Sequence, residues 1–283
     1  MMRDEKEIRQ ANKLVKLTQA EYRQIAHHTM NLYQVEMNGL QQKSQLVENR
    51  LLKQYQPLQS KKLKIIINHE NVLQRIRLAT DMSTKVGVLN FADPIEPGGE
   101  FRQGRDGQEQ AICRNTFLYP ELMQFRRKYY YYNQCHFNQG LYSQKMIVSE
   151  QVKVLHDESE KSYLKPARFV DFISISAPNL KLAVKESQQF ETKRLQQDLQ
   201  QRVIQLLRQF KVLRDEYLIL GAFGCGQAGN DPEMVAQIFK TELTSPEFVN
   251  AFKEVYFSIL DEHQKEIFAS IFNQHRKIIL NEA

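Results

Sequence analysis

The chain is short of the features that mark several protein classes. Its three cysteines, Cys113, Cys135 and Cys225, leave an odd count and share no metal-ligand spacing, which argues against a disulfide framework and points to a reducing compartment. No apolar run approaches the ~18 to 20 residues needed to span a bilayer. Met1-Met2-Arg3-Asp4-Glu5-Lys6 opens on charge and not on a signal-peptide core, so an intracellular protein with no membrane part is expected, with cytoplasm, nucleus and cytoskeleton left open. There is no Walker sequence and no GxGxxG fingerprint, so nothing points to triphosphate hydrolysis or hydride transfer. Zinc-finger spacing and an aromatic RNA-binding signature are also missing, and direct nucleic-acid binding is not expected. No internal repeat is visible.

The net charge of +6 gives only a weak pull toward anions, because Lys, Arg, Asp and Glu are mixed along the chain. The densest basic spots, Lys61-Lys62 and Arg126-Arg127-Lys128, are short and read as solvated faces. His27-His28 has no carboxylate at metal-ligand spacing, so no metal is expected, and no pattern calls for a cofactor.

What is present is an α/β alternation long enough to bury one large core. Residues 1–60 form an N-terminal helical accessory segment and residues 61–283 the main domain. Residues 5–55 carry no proline and read as helices joined near Asn38-Gly39, with Tyr22, Ile25, Met30 and Tyr33 giving an apolar side for docking. Gln56-Pro57-Leu58-Gln59-Ser60 reads as the linker. Leu63 to Ile67 is β-rich, Val86 to Ala92 is a buried strand, and Met146 to Val148 and Gln151 to Leu155 are strands near an edge. Phe169 to Ser176 reads as a central strand, and Leu195, Leu199, Val203, Leu206 and Phe210 recur at helical spacing. Tyr217 to Leu220 is a strand leading into glycine-rich sequence. Asp231-Pro232-Glu233 signals a helix start, because Asp caps free amides and Pro fits the first turn. Ser245-Pro246-Glu247 carries the same signal, ahead of Phe248, Phe252, Val255, Tyr256 and Ile259. The four tyrosines Tyr129 to Tyr132 read as an insertion packing its rings on the domain.

Two loops carry the chemistry. Gly221 to Gly229 holds four glycines between a strand and a helix, which leaves amides free to converge on one spot and suits a diphosphate as well as a plain tight turn. Gly98-Gly99 permits close approach to a ligand, while Gln108, Glu109 and Gln110 offer hydrogen-bonding groups at a helix start, where carboxamides and a carboxylate could grip sugar hydroxyls. Glu109 also suits a helix N-terminus simply by complementing its dipole. Cys113 and Cys225 flank this region and read as small core hydrophobes, no histidine being paired with either.

The segments Val88-Leu89-Asn90-Phe91-Ala92 with Pro97-Gly98-Gly99, Gln108 to Arg114 with Leu118-Tyr119, Tyr142-Ser143 with Met146-Ile147, Ser176-Ala177-Pro178-Asn179 and Leu220 to Pro232 occur in one order. Together they resemble the bacterial-type poly(ADP-ribose) glycohydrolases, over roughly Tyr22 to Asp261. The resemblance implies a three-layer αβα macrodomain-like sandwich with an N-terminal helical extension, whose partner is ADP-ribose or an ADP-ribosylated protein. The ligand-binding set it implies is Asn90, Gly98, Gly99 and Gln108 with Gly221, Ala222, Phe223, Gly224, Cys225, Gly226, Gly229 and Asn230. The resemblance further implies that the second loop holds the diphosphate, that Phe223 shapes the ribose side, and that Gln108, together with Glu109, orients the distal ribose.

Two positions depart from the family. Its catalytic carboxyl falls at Gln110, an amide that cannot deliver a proton, and Glu100 stands where a third glycine belongs, which places a side chain and a negative charge at the cleft. Loss of such an acid costs about 10²- to 10⁴-fold in rate. The catalytic candidates are therefore Glu109, Gln110 and Glu100. Three outcomes follow: a binding-competent macrodomain with impaired or lost hydrolysis, an ADP-ribosyl hydrolase that uses Glu109 or Glu100, or a non-enzymatic structural subunit that assembles through the N-terminal helices.

Overall fold

The computed structural model describes residues 17–48, 63–79, 85–157, 164–187 and 191–279. The chain begins with α1 (Gln19–Glu36), β1 (Lys43–Val47), β2 (Lys64–Asn68), α2 (Val72–Leu78) and β3 (Val86–Phe91). Next come α3 (Gln108–Asn115), α4 (Leu118–Met123), α5 (Tyr132–Cys135), β4 (Met146–Val154) and β5 (Arg168–Ile175). The chain continues with α6 (Leu180–Glu186), α7 (Thr192–Leu213), β6 (Tyr217–Leu220), α8 (Pro232–Leu243), β7 (Glu254–Ser258) and α9 (Glu262–Ile279).

The strands form one sheet in the order β1-β4-β5-β3-β6-β7-β2. From β5 to β2 neighbouring strands are parallel, whereas β4 runs antiparallel to β5 and β1 antiparallel to β4. Side-chain alternation divides the interior into two cores. Leu89, Ile173, Leu218 and Leu220 face a core closed by α7, α8 and α9. Val88, Phe172 and Ile219 face the other, closed by α1, α2, α3 and α4. Because both faces of β3 are covered, its sequence is nearly continuous in apolar residues, as expected for a central parallel strand. The result is the expected αβα sandwich.

Local signals explain most boundaries. Thr18 and Glu21 form a reciprocal capping box that starts α1. Asp231 accepts the Glu233 amide and Pro232 opens α8. The apolar stripe of α7, from Leu195 to Phe210, is buried as its spacing predicts. Tyr129 and Tyr130 are buried in the α1-side core while Tyr131 is exposed.

Three expectations are corrected. Residues beyond Asn38-Gly39 form no second helix in the described part: Lys43–Val47 is strand β1, paired with β4 at one edge of the sheet. Met146–Val154 is one strand and not two, with its register against β5 shifting between Ser149 and Val152, where Gln151 has φ 55°. Ser245-Pro246-Glu247 starts a series of turns and no helix, after which Glu254–Ser258 pairs between β6 and β2. The proposed linker at Gln56 to Ser60 and the pair Lys61-Lys62 lie outside the described residues. Among the described residues no helix is long and apolar enough to cross a membrane.

Candidate functional site

The loops with chemical content leave the carboxyl ends of β3, β5 and β6, three adjacent parallel strands. This is where open α/β sheets place their ligands. Successive residues of a helix point about 100° apart, so the first three side chains of α3 reach three different stretches of backbone. Gln108 extends the end of β3: its Oε1 accepts the Phe91 amide at 2.8 Å and its Nε2 donates to the Leu89 carbonyl at 2.7 Å. Glu109 accepts the Asp93 amide at 2.8 Å and the Asn90 Nδ2 at 3.2 Å. Gln110 donates its Nε2 to the Gly99 carbonyl at 2.7 Å. Gln108, Glu109, Gln110 and Asn90 are therefore brought together, each with a defined backbone or side-chain partner.

Glu109 is buried, and burial is the largest influence on its acidity. Desolvation and the nearby Asp93 carboxyl push its pKa up to about 8, against the opposing pull of the Asp93 and Gly98 amides and Asn90. Burial thus favours the protonated form near neutral pH, although both carboxyl oxygens are placed to accept, one from Asn90 and one from the Asp93 amide. Asn90 also donates to the Ser174 hydroxyl at 3.0 Å, which ties the β3 residue to β5.

The first glycine loop turns through three consecutive left-handed residues, Gly98 (φ 71°), Gly99 (φ 55°) and Glu100 (φ 64°). For the two glycines this costs little, but for Glu100 the conformation costs about 1–2 kcal/mol. A side chain at Gly99 would collide with Gln110, so the close packing of loop on helix requires glycine there. The Glu100 carboxylate forms an ion pair with Arg105 at 2.8 Å. The structure thus gives its charge a local partner, in addition to any effect on the cleft.

The second loop follows β6. Phe223 is buried and its ring lies 5.7 Å from that of Phe91, joining the roots of the two loops. Within the loop the Cys225 amide bonds to the Ala222 carbonyl, the Gly229 amide to Gly226 and the Asn230 amide to Gly224. Among the described residues the amides of Gly224, Gly226, Gln227 and Ala228 make no such bond. Gly224 is left-handed (φ 76°), and a Cβ there would press on Asn230 and Ala177, whereas a Cβ at Gly226 would meet open space. Asn230 is buried and donates to the Pro178 carbonyl at 3.0 Å, pinning this loop to the segment after β5. Gly221 is packed between Phe91 and the Ser258 carbonyl, and Ala222 is half-buried.

Several supporting residues escaped sequence reasoning. The Tyr129 hydroxyl accepts the Ser176 amide at 3.0 Å and fixes the end of β5. Arg202 is fully buried and donates to the carbonyls of Ser143 (2.8 Å), Ser176 (2.9 Å) and Leu141, with Asp198 as counter-ion. Asp93 accepts the amides of Ile95 and Glu96, folding the start of the first loop. The Asp93-Pro94 pair was the available signal for that turn; nothing local announces Arg202. Cys113 and Cys225 are buried and desolvation raises both thiols, Cys225 to about 12, so neither is poised as a nucleophile. Among the described residues no group of three or more His, Cys, Asp and Glu side chains is placed to hold a metal.

This architecture, with paired glycine loops at the ends of central parallel strands and helices on both sheet faces, defines an αβα macrodomain-like protein. Residues 10–157 match the family "microbial-type PARG, catalytic domain", and the chain belongs to that family. Among solved structures it is similar to the poly(ADP-ribose) glycohydrolase of Thermomonospora curvata, with a TM-score of 0.77, 24% identity, and coverage of 89% of this chain and 100% of that one. The same enzyme bound to the inhibitor ADP-HPD gives a TM-score of 0.76 at 25% identity, covering 89% and 99%. The poly(ADP-ribose) glycohydrolase of Deinococcus radiodurans in complex with ADP-ribose gives 0.72 at 26% identity, covering 83% and 95%. No curated protein matches the chain.

Proposed function

We propose that this protein recognises ADP-ribose, free or attached to protein, and that its hydrolysis of ADP-ribose polymers is impaired or lost. The observation that carries the reading is the loop after β6, where four amides without backbone partners stand at the end of a central strand. A similar structure binds ADP-ribose, which supports the same ligand here. In this reading the diphosphate lies on Gly221, Ala222, Phe223, Gly224, Cys225, Gly226, Gly229 and Asn230. The ribose next to the scissile bond lies against Asn90, Gly98, Gly99 and Gln108. Residues 1–60 act as an accessory segment, α1 bracing the first glycine loop and β1 closing the sheet edge, while residues 61–283 form the binding domain.

Gln110 supports the loss of hydrolysis. Its amide is committed to the Gly99 carbonyl and has no proton to deliver to a departing oxygen. A second reading is favoured by one observation: Glu109 is buried and protonated near neutrality, so it has the acid form that general-acid catalysis needs. Linkages with better leaving groups than a ribose hydroxyl would then be its substrates.

Calorimetric titration with ADP-ribose tests the proposal, with ADP as a second ligand and Gly226→Glu as the control. That variant has room for its side chain and sets a carboxylate beside the unbonded amides, whereas Gly224→Glu would disturb the fold. Micromolar binding that Gly226→Glu abolishes supports the proposal. Absence of binding by the folded wild-type protein refutes it and favours a structural subunit assembled through its N-terminal segment. Release of ribosyl products that depends on Glu109 would establish the second reading.

A further inference from the structure

A groove of about 270 Å³ lies on the outer side of the first glycine loop, between it and α1, lined by Arg23, His27, Met30, Asn31, Gln34 and Arg102. The α1 residues repeat at three- and four-residue intervals and so form one stripe of the helix. At 1.5 Å per residue that stripe runs for about 16 Å from Arg23 to Gln34. Its polar groups are mostly donors, and no carboxylate lines it. The Arg23 Nε donates to the Gln103 carbonyl at 2.9 Å, which orients its guanidinium toward the loop and uses one of its five donors. The Asn31 amide lies 3.3 Å from His27 Nδ1; with the amide donating, the ring proton sits on Nε2 as a further donor. Arg102 is exposed and makes neither an ion pair nor a hydrogen bond among the described residues. An elongated strip with two arginines, further donors and no acid fits a phosphoryl-bearing chain better than a single small ion.

The groove is also joined to the candidate site. Arg102 lies two residues beyond Glu100 on the glycine loop, and the next carbonyl, that of Gln103, receives both Arg23 and the Gln19 carboxamide at 2.9 Å. Helix α1 and the loop therefore form one surface, and the loop that lines the arginine groove through Arg102 is the one that carries Gly98 and Gly99. We propose that this groove is a second anion site, which holds the diphosphate of the neighbouring unit when the ligand is a chain of ADP-ribose units. The assignment to such a chain rests on the ADP-ribose reading above; the groove as a diphosphate site does not.

The test compares wild type with the double variant Arg23→Gln and Arg102→Gln, both surface positions, in titrations with ADP-ribose, short ADP-ribose oligomers and single-stranded RNA of matched charge. The expected result is oligomer binding at least about tenfold tighter than monomer in wild type, from engagement of two linked sites. In the double variant that advantage disappears and monomer affinity is unchanged. Oligomer affinity that ignores the double variant overturns the proposal, as does an equal loss for monomer, or RNA binding with the same arginine dependence. A further arm titrates inorganic pyrophosphate into Gly226→Glu protein and follows the amide resonances of His27 and Asn31. Shifts there that vanish when the two arginines are replaced uphold the groove even if wild type binds no ADP-ribose, and their absence overturns it.

Discussion

Replacing Glu109 by glutamine should change how stability depends on pH, by an amount set by the burial of that one carboxyl. The folded-state pKa is about 8 and the ordinary value 4.5, so between those limits the native protein holds a proton that the unfolded chain releases. Native Glu109 binds more protons than unfolded Glu109, and the group's contribution to stability therefore falls as pH rises. Its stabilising contribution is complete below the unfolded pKa and is lost by the time pH passes the folded one. The loss approaches 1.36 kcal/mol per pH unit within the window, or about 2–3 kcal/mol between about pH 5.5 and about pH 7.5.

The isosteric carboxamide of the Glu109→Gln variant does not titrate, so it lacks this slope. It does exchange an acceptor for a donor toward Asn90 Nδ2 or the Asp93 amide, but rotating the Asn90 amide offers an acceptor in return, and any remaining cost is the same at every pH. Urea denaturation of both proteins across the range gives the difference directly, because other titrating groups largely cancel. The variant should gain on wild type by about 2–3 kcal/mol as pH rises through the window. Parallel curves, agreeing in slope to within about 0.5 kcal/mol over the whole range, would mean that Glu109 is already ionised and that its site is wetter than the geometry implies.

Glu100→Gly removes a left-handed strain of about 1–2 kcal/mol and an exposed Arg105 ion pair worth about 0–1 kcal/mol, so chemical denaturation should show equal or higher stability, by up to about 2 kcal/mol. Arg202→Met strands the carbonyls of Leu141, Ser143 and Ser176 and the Asp198 carboxylate, and denaturation should show a loss of about 3–5 kcal/mol. Gln110→Glu restores a carboxyl in α3 but sets it against the Gly99 carbonyl, which favours the protonated form; in a polymer-hydrolysis assay the rate should rise by about 10²-fold or more if the site is otherwise intact. No rise in a variant that still binds ADP-ribose would mean that more than this residue separates the site from an active one.

The parts of the fold legible in sequence are those where local pattern and burial agree. β3 and α7 are buried along their whole pattern, so apolar run and helical spacing report them faithfully. β1 was hidden because it is an edge strand, half solvated, with Lys, Ser and Gln in its first three positions and a partner about a hundred residues away. The stretch from Phe248 to Ile259 has apolar spacing that suits a helix locally, while its pairing between β6 and β2 depends on distant strands that no local signal contains. At the candidate site the glycine loops were legible from composition, since close packing and left-handed turns select glycine. The destinations of the polar side chains were not. Gln108 serves backbone nineteen residues earlier, Glu100 pairs with Arg105, and Arg202 reaches its carbonyls from a helix across the sheet.

The first three side chains of α3 together fasten the first glycine loop and the end of β3 to that helix. Gln108, Glu109 and Gln110 each hold a different part of the β3 loop, and the third contact requires a donor, because its partner is a carbonyl. An amide supplies that donor at every pH, whereas a carboxyl supplies it only while protonated and repels the same carbonyl once ionised. Gln110 therefore fastens Gly99 to α3 at every pH, which an ionised carboxyl in the same place would not do. Arg105 acts in the same direction at Glu100, whose charge it engages beside a backbone turn that only the preceding glycines adopt at low cost. Gln110 and Glu100 thus each have a local structural partner, and the loop they belong to is held by contacts that do not depend on proton transfer.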